Sequence, residues 1–148
     1  MRRAGVDDAE ILLDIQRSAC VAGLPHIYPP DLYPFPSETI LDELRAQLAD
    51  PAYVALVDGD GRGFVLVGHS FLERLYVRPE AWGVGLAVDL HAAALEQLRG
   101  ATASLWCLAD NTRARRFYER EGWTLNGDER VVPYPPHPLD VGYSIDLG

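Results

Sequence analysis

Apolar positions along the chain change spacing from segment to segment, and the spacing predicts the elements. Residues 1–4 are enough for only a short first strand. Ile11, Leu12, Ile15 and Ala19 share one stripe, so a helix runs from a cap at Asp7 or Asp8 to about Ala22, closed by Gly23 and Pro25. Ile40, Leu41, Leu44 and Leu48 repeat that pattern. Ser37 is the expected cap, Glu38 suits the first turn, and Pro51 ends the helix. The period then shortens: Tyr53–Val57 and residues 63–67 read as strands around an Asp-Gly-Asp-Gly-Arg-Gly hairpin. Gly68, His69 and Ser70 turn the chain into a third strand carrying Leu72, Leu75, Tyr76 and Val77, stopped near Arg78 by Pro79.

Helical spacing returns with Leu86, Leu90, Ala94 and Leu98, flanked by Ala87 and Leu95. Thr102–Leu108 is a short apolar strand. Asn111 caps a helix to about Glu121, with Gly122 as its stop. Residues 123–132, interrupted by Asn126, Gly127 and Asp128, and residues 140–147 read as two closing strands joined by a Pro-rich connector. This order, an antiparallel meander and then strand–helix–strand–helix, predicts an α+β fold of mixed character.

Residues 24–36 fit neither period. Five prolines forbid a helix or a central strand, yet Ile27, Tyr28, Leu32, Tyr33 and Phe35 are too apolar for a linker. The segment reads as an ordered loop lying across the domain.

Length and composition narrow the class. The 148 residues suit one domain, residues 1–148, and 48% apolar with 24% charged residues are globular values. No apolar run approaches ~18 residues, so no membrane span is expected. No apolar stretch follows Arg2 and Arg3, so the start does not read as a secretory signal. Cys20 and Cys107 form no paired motif, which points to a reducing compartment, the cytoplasm. The four histidines show no ligand spacing, so no metal is expected. A net charge of −9 argues against nucleic acid as a partner and accords with attraction of a cationic amine, or simply with solubility. A second copy of the chain, as a homodimer, is a further candidate partner.

Two stretches carry chemistry. Gly83 and Gly85 leave the main chain bare where a helix starts, and unpaired N–H groups at the positive end of a helix dipole seat a phosphate or pyrophosphate. Taken alone, two such glycines equally serve a tight strand-to-helix turn. On the helix after Asn111, Ala114, Phe117 and Tyr118 share one face, while Arg113, Arg115, Arg116, Glu119 and Arg120 take most of the other.

Together these stretches resemble the GNAT superfamily of acyl-CoA-dependent N-acyltransferases. Trp82, Gly83, Val84, Gly85, Leu86 and Ala87 fill the six places of its pyrophosphate motif after a Val-x-Pro turn, with Trp82 where the family more often has Gln or Arg. Asn111, Phe117, Tyr118, Gly122 and Trp123 match its second signature in order and spacing. The resemblance covers the C-terminal half strongly and the N-terminal half by element order. It implies a single-domain GNAT-like fold, a mostly antiparallel sheet of about six or seven strands flanked by about four helices. It also implies an enzyme moving an acetyl group directly from acetyl-CoA, a cosubstrate, to a primary amine of a small molecule or peptide.

The resemblance distributes the roles as follows. Amides of residues 83–88 (Gly83, Val84, Gly85, Leu86, Ala87, Val88) meet the pyrophosphate. Leu75, Tyr76 and Val77 offer main-chain groups to the pantetheine arm, which lies beside them like an added strand, and supply the oxyanion donor. Asn111 contacts the arm; its local reading is a helix cap, and the two roles coexist. Arg78, Arg113, Arg115 and Arg116 face the anionic nucleotide or plain solvent. Tyr118 is the general acid: a phenol with a pKa of about 10 returns a proton to a thiolate with little imbalance. Its plain reading is a core Tyr beside Phe117. Glu73 is the candidate base, directly or through a water; otherwise it is a surface residue paired with Arg62 or Arg74. His26, Tyr28 and Tyr33 border the acceptor pocket, or only cover core. Two other functions remain open: a catalytically silent acyl-CoA sensor, and a nucleotide-binding α/β domain using the Gly loop for another phosphate.

Overall fold

The computed structural model describes residues 1–148. Its strands are β1 (Arg2–Arg3), β2 (Tyr53–Val57), β3 (Gly63–Gly68), β4 (Phe71–Val77), β5 (Thr102–Leu108), β6 (Thr124–Val131) and β7 (Leu139–Asp146). Its helices are α1 (Ala9–Gly23), α2 (Ser37–Ala49), α3 (Leu86–Leu98) and α4 (Thr112–Arg120). One seven-stranded sheet runs β1-β2-β3-β4-β5-β7-β6, antiparallel except where β4 meets β5. This is the expected single-domain α+β fold with a mostly antiparallel sheet.

The apolar stripes pack on opposite faces. Leu12 and Ile15 of α1 and Ile40 and Leu44 of α2 bury Ala55, Val57, Phe64 and Leu66. Leu86, Leu90, Ala94 and Leu98 of α3 cover Val65, Val67, Leu72 and Leu105 on the other side. β3 is buried on both faces, so its sequence reads as a continuous apolar run instead of alternating.

Two local expectations change. The first helix opens with a short 3₁₀ turn; Asp8 is the N-cap residue of α1, but its carboxylate reaches back to the Gly5 N–H at 2.8 Å and to Arg2 and bonds no amide of α1. Ser37 does not cap α2. The Pro36 carbonyl already accepts the Ile40 N–H, which makes Pro36 the cap and puts Ser37 inside the first turn. β7 inserts between β5 and β6, and β6 loses register between Leu125 and Glu129, where Asn126, Gly127 and Asp128 interrupt it. Residues 24–36 form an ordered loop of successive turns, with the Tyr28 N–H on Leu24 O and the Tyr33 N–H on Pro29 O.

Candidate active site

The site begins as a fault in the sheet. On β3, Leu66 and Val67 pair with Arg74 and Leu72, so Glu73 has no partner and forms a bulge in β4. A bulge bends its strand and re-aims side chains. β4 and β5 share only the Phe71–Ser104 pairing, ahead of the bulge, and diverge beyond it. Through that gap runs a cavity of about 670 Å³, lined on one side by Gln16 and Cys20 of α1 and on the other by Asn111, Ala114 and Tyr118. Its size is that of a small-molecule site.

The gap exposes main chain. The Arg78 N–H bonds Arg62 O at 2.7 Å. Antiparallel alternation then makes Tyr76–Phe64 the next bonded pair and turns the N–H and C=O groups of Leu75 and Val77 away from β3, into the gap. One of these groups is already engaged: the Trp82 indole N–H donates to Val77 O at 2.8 Å. Trp82 is held there by the Arg113 guanidinium, 3.9 Å from its ring centre, and by Gly23.

At the head of α3, Gly83 and Gly85 have φ of 80° and 85°, a region that favours glycine, and a side-chain carbon on either would meet nothing within 4 Å. The first bond of this turn is the Asp89 N–H to Gly85 O, and the amides of residues 83–88 find no acceptor inside the protein. These groups and the open space beside them fit a pyrophosphate.

Tyr118 reaches the cavity from an aromatic cluster. Its ring lies 5.4 Å from Phe117, 6.1 Å from Trp123 and 6.5 Å from His91, centre to centre. The buried Trp123 indole donates to His91 Nε2 at 2.9 Å, and burial lowers the His91 pKa, so this ring is a neutral acceptor. Burial raises the Tyr118 pKa, and its hydroxyl has no partner in the protein. Asn111 Oδ1 accepts the Ala114 N–H at 3.3 Å, which leaves its NH₂ toward the cavity. Burial pushes both thiols, Cys20 and Cys107, up to about 12, so neither is a thiolate nucleophile at neutral pH.

Glu73 reaches solvent through the cavity mouth, while flanking protein strips part of its hydration. That desolvation raises its pKa against the opposing pull of Arg74, Arg130 and His69. Neither pairing foreseen for it forms: Arg62 holds Asp58 and Arg74 holds Glu43. Tyr28 and Tyr33 line the cavity. His26 does not; its Nε2 donates to Asp110 O at 3.0 Å, tying the loop to the start of α4. Of the arginines, Arg78 anchors to Gly61 O and Asp14, and Arg115 to Tyr143 and Ala109 O, while Arg113 stands beside the Gly loop.

The sequence did not single out several lining residues. Arg74 is buried and bonded to Gln16, Gln47 and Glu43 from α1 and α2. Trp106 faces the cavity from β5, with Arg130 stacked on it and paired to Asp140. The alternation of β5 marked Trp106 as facing away from the α3 side, the one available signal for it.

Comparison with known proteins agrees with this geometry. The Acetyltransferase (GNAT) family profile matches residues 21–123. The chain is 27% identical over 140 residues to the peptidyl-lysine N-acetyltransferase YjaB of Salmonella typhimurium LT2, a match covering 91% of this chain and 92% of that one. The fold superposes on the PaiA N-acetyltransferase of Thermoplasma acidophilum in complex with coenzyme A, with TM-score 0.73, 17% identity and coverage of 98% and 96%. Apo YjaB of Escherichia coli gives TM-score 0.72 at 18% identity, covering 97% and 94%. Fold and family define an acyltransferase. The chain belongs to the GNAT family of acetyltransferases.

Proposed function

We propose that the protein moves an acetyl group from acetyl-CoA directly to a primary amine. The observation that carries this reading is the continuous cavity through the β4–β5 gap. It has free main-chain groups on one wall, Tyr118 and Asn111 on another, and Glu73 at its mouth. The thioester carrier enters with its pyrophosphate on the amides of residues 83–88 and its arm along Leu75 and Val77. Tyr76, between them in β4, bonds Phe64 and shapes the wall.

The amine enters from the side of Tyr28 and Tyr33. Its proton passes to Glu73, directly or through a water, and its nitrogen attacks the thioester carbon. Outward N–H groups of β4 stabilise the oxyanion. As the C–S bond breaks, the Tyr118 hydroxyl returns a proton to the thiolate, giving amide and free coenzyme A. A relative named for peptidyl-lysine acetylation and a neighbour crystallised with coenzyme A support the amine and the carrier. The free thiols accord with a reducing cytoplasm, and no helix is long and apolar enough to cross a membrane.

The test is thiol release from acetyl-CoA with a panel of amines, with mass detection of the N-acetyl product. Coenzyme A binding without turnover of any amine would leave a carrier-binding module and refute the enzyme.

A further inference from the structure

The acceptor side of the cavity has walls that acetyl transfer itself does not require. Tyr28, Tyr33 and Phe35 come from the 24–36 loop, Phe71 from β4, Trp106 from β5 and Tyr134 from the connector before β7. Two straps hold this wall in place. His26 ties the loop to Asp110 O at 3.0 Å, and the Tyr134 hydroxyl donates to Glu43 at 2.6 Å. A peptide main chain lying across a site needs an open groove or a free sheet edge. Here a loop and a connector cross that face instead.

Charge in the cavity is sorted as well. Four charged residues line it: Glu73, Arg74, Arg130 and Asp140. Arg74 is held by Gln16, Gln47 and Glu43. Arg130 donates to Asp140 at 2.9 Å and lies 4.6 Å from the Trp106 ring centre. Glu73 alone has no hydrogen-bonded partner. An ammonium therefore finds a free carboxylate among aromatic faces that also attract cations. An acceptor carboxylate finds both arginines engaged and Glu73 repelling it.

On the acetyl-transfer reading above, we infer that the acceptor is a small primary amine with an aromatic or bulky apolar body and no carboxylate. Its ammonium meets Glu73, and its body fills the Tyr28–Trp106–Tyr134 wall.

The experiment compares kcat/KM with acetyl-CoA for phenethylamine, propylamine, phenylalanine and a short lysine peptide. Phenethylamine should exceed propylamine by at least about tenfold, the usual scale for a fitted apolar group, and should also exceed phenylalanine and the peptide. Trp106→Ala should bring the phenethylamine-to-propylamine ratio toward one. Tyr33→Ala, on the outer loop, repeats that test with less risk to the fold. Equal use of the two plain amines, or preference for phenylalanine or the peptide, overturns the inference and leaves acetyl transfer standing. If no amine is acetylated by protein that binds coenzyme A, both readings fall.

Discussion

Trp82 gives the sharpest test of how the carrier enters. Its indole N–H occupies Val77 O at 2.8 Å, one of the β4 groups that an added strand of pantetheine would use. The arm must displace it. A hydrogen bond of this kind is worth about 0.5–1.5 kcal/mol net. Trp82→Phe removes the donor but keeps a ring beneath Arg113, which lies 3.9 Å from the indole centre. With 1.4 kcal/mol per tenfold, coenzyme A should bind the variant about two- to tenfold more tightly. The free protein should melt at a lower temperature, having lost the same bond. Titration calorimetry and a thermal melt read the two effects. Their opposite signs distinguish a displaced plug from a residue that holds the carrier, whose loss weakens binding. Unchanged or weaker binding by Trp82→Phe refutes the reasoning.

Tyr118→Phe should lower kcat by about a hundredfold, the low end for a general acid, while calorimetry finds coenzyme A affinity nearly unchanged; equal loss of both would remove Tyr118 from that role. Glu73→Gln should lower kcat/KM on a similar scale and abolish the limb that rises with pH through the raised Glu73 pKa, leaving the limb set by the amine itself. His91 resists protonation when folded, whereas in the unfolded chain it titrates near its ordinary 6.5. Its pKa is therefore depressed by folding, and its contribution is present above that value and is lost as pH falls through the folded pKa. Thermal melts from neutral pH downward should show His91→Gln, which keeps an acceptor for Trp123 but cannot titrate, losing less stability with acid than the native protein.

What could be read in the chain was local. Asn111, the Gly loop and the residue 58–63 hairpin depend on side chains within a few positions, and each lies where its own segment put it. The misread cap and the features left unread have equally definite causes. Ser37 has good capping chemistry, but the Pro36 carbonyl takes the role one residue earlier. The Arg74 network was invisible because its partners lie 27, 31 and 58 residues away and meet only when α1 and α2 cross β4. The Trp82 bond to Val77 turns the family's one substituted place into a contact that no spacing rule encodes. The placement of β7 beside β5 is decided by pairing across the sheet, which strand patterns in one chain do not rank.

The bulge at Glu73 was the least legible feature, and it separates two things that one residue does. Leu72 faces α3 and Arg74 faces α1 and α2, although two positions apart on a regular strand would share a face. The extra residue between them restores each to its own layer. Deleting Glu73 would make Leu72 and Arg74 neighbours, pair them with Val67 and Leu66 without a break, and keep both on their present faces. The core on each side should survive, so a cooperative melt is expected. The bend that parts β4 from β5 should not, and coenzyme A binding by calorimetry should be lost with the gap. Glu73→Gln keeps the backbone and removes only the carboxylate, so it should bind coenzyme A while turning over about a hundredfold more slowly. If the deletion variant binds coenzyme A as the native protein does, the gap has another origin. The divergence of the two strands would then belong to α4 and the loop above it, not to one inserted residue.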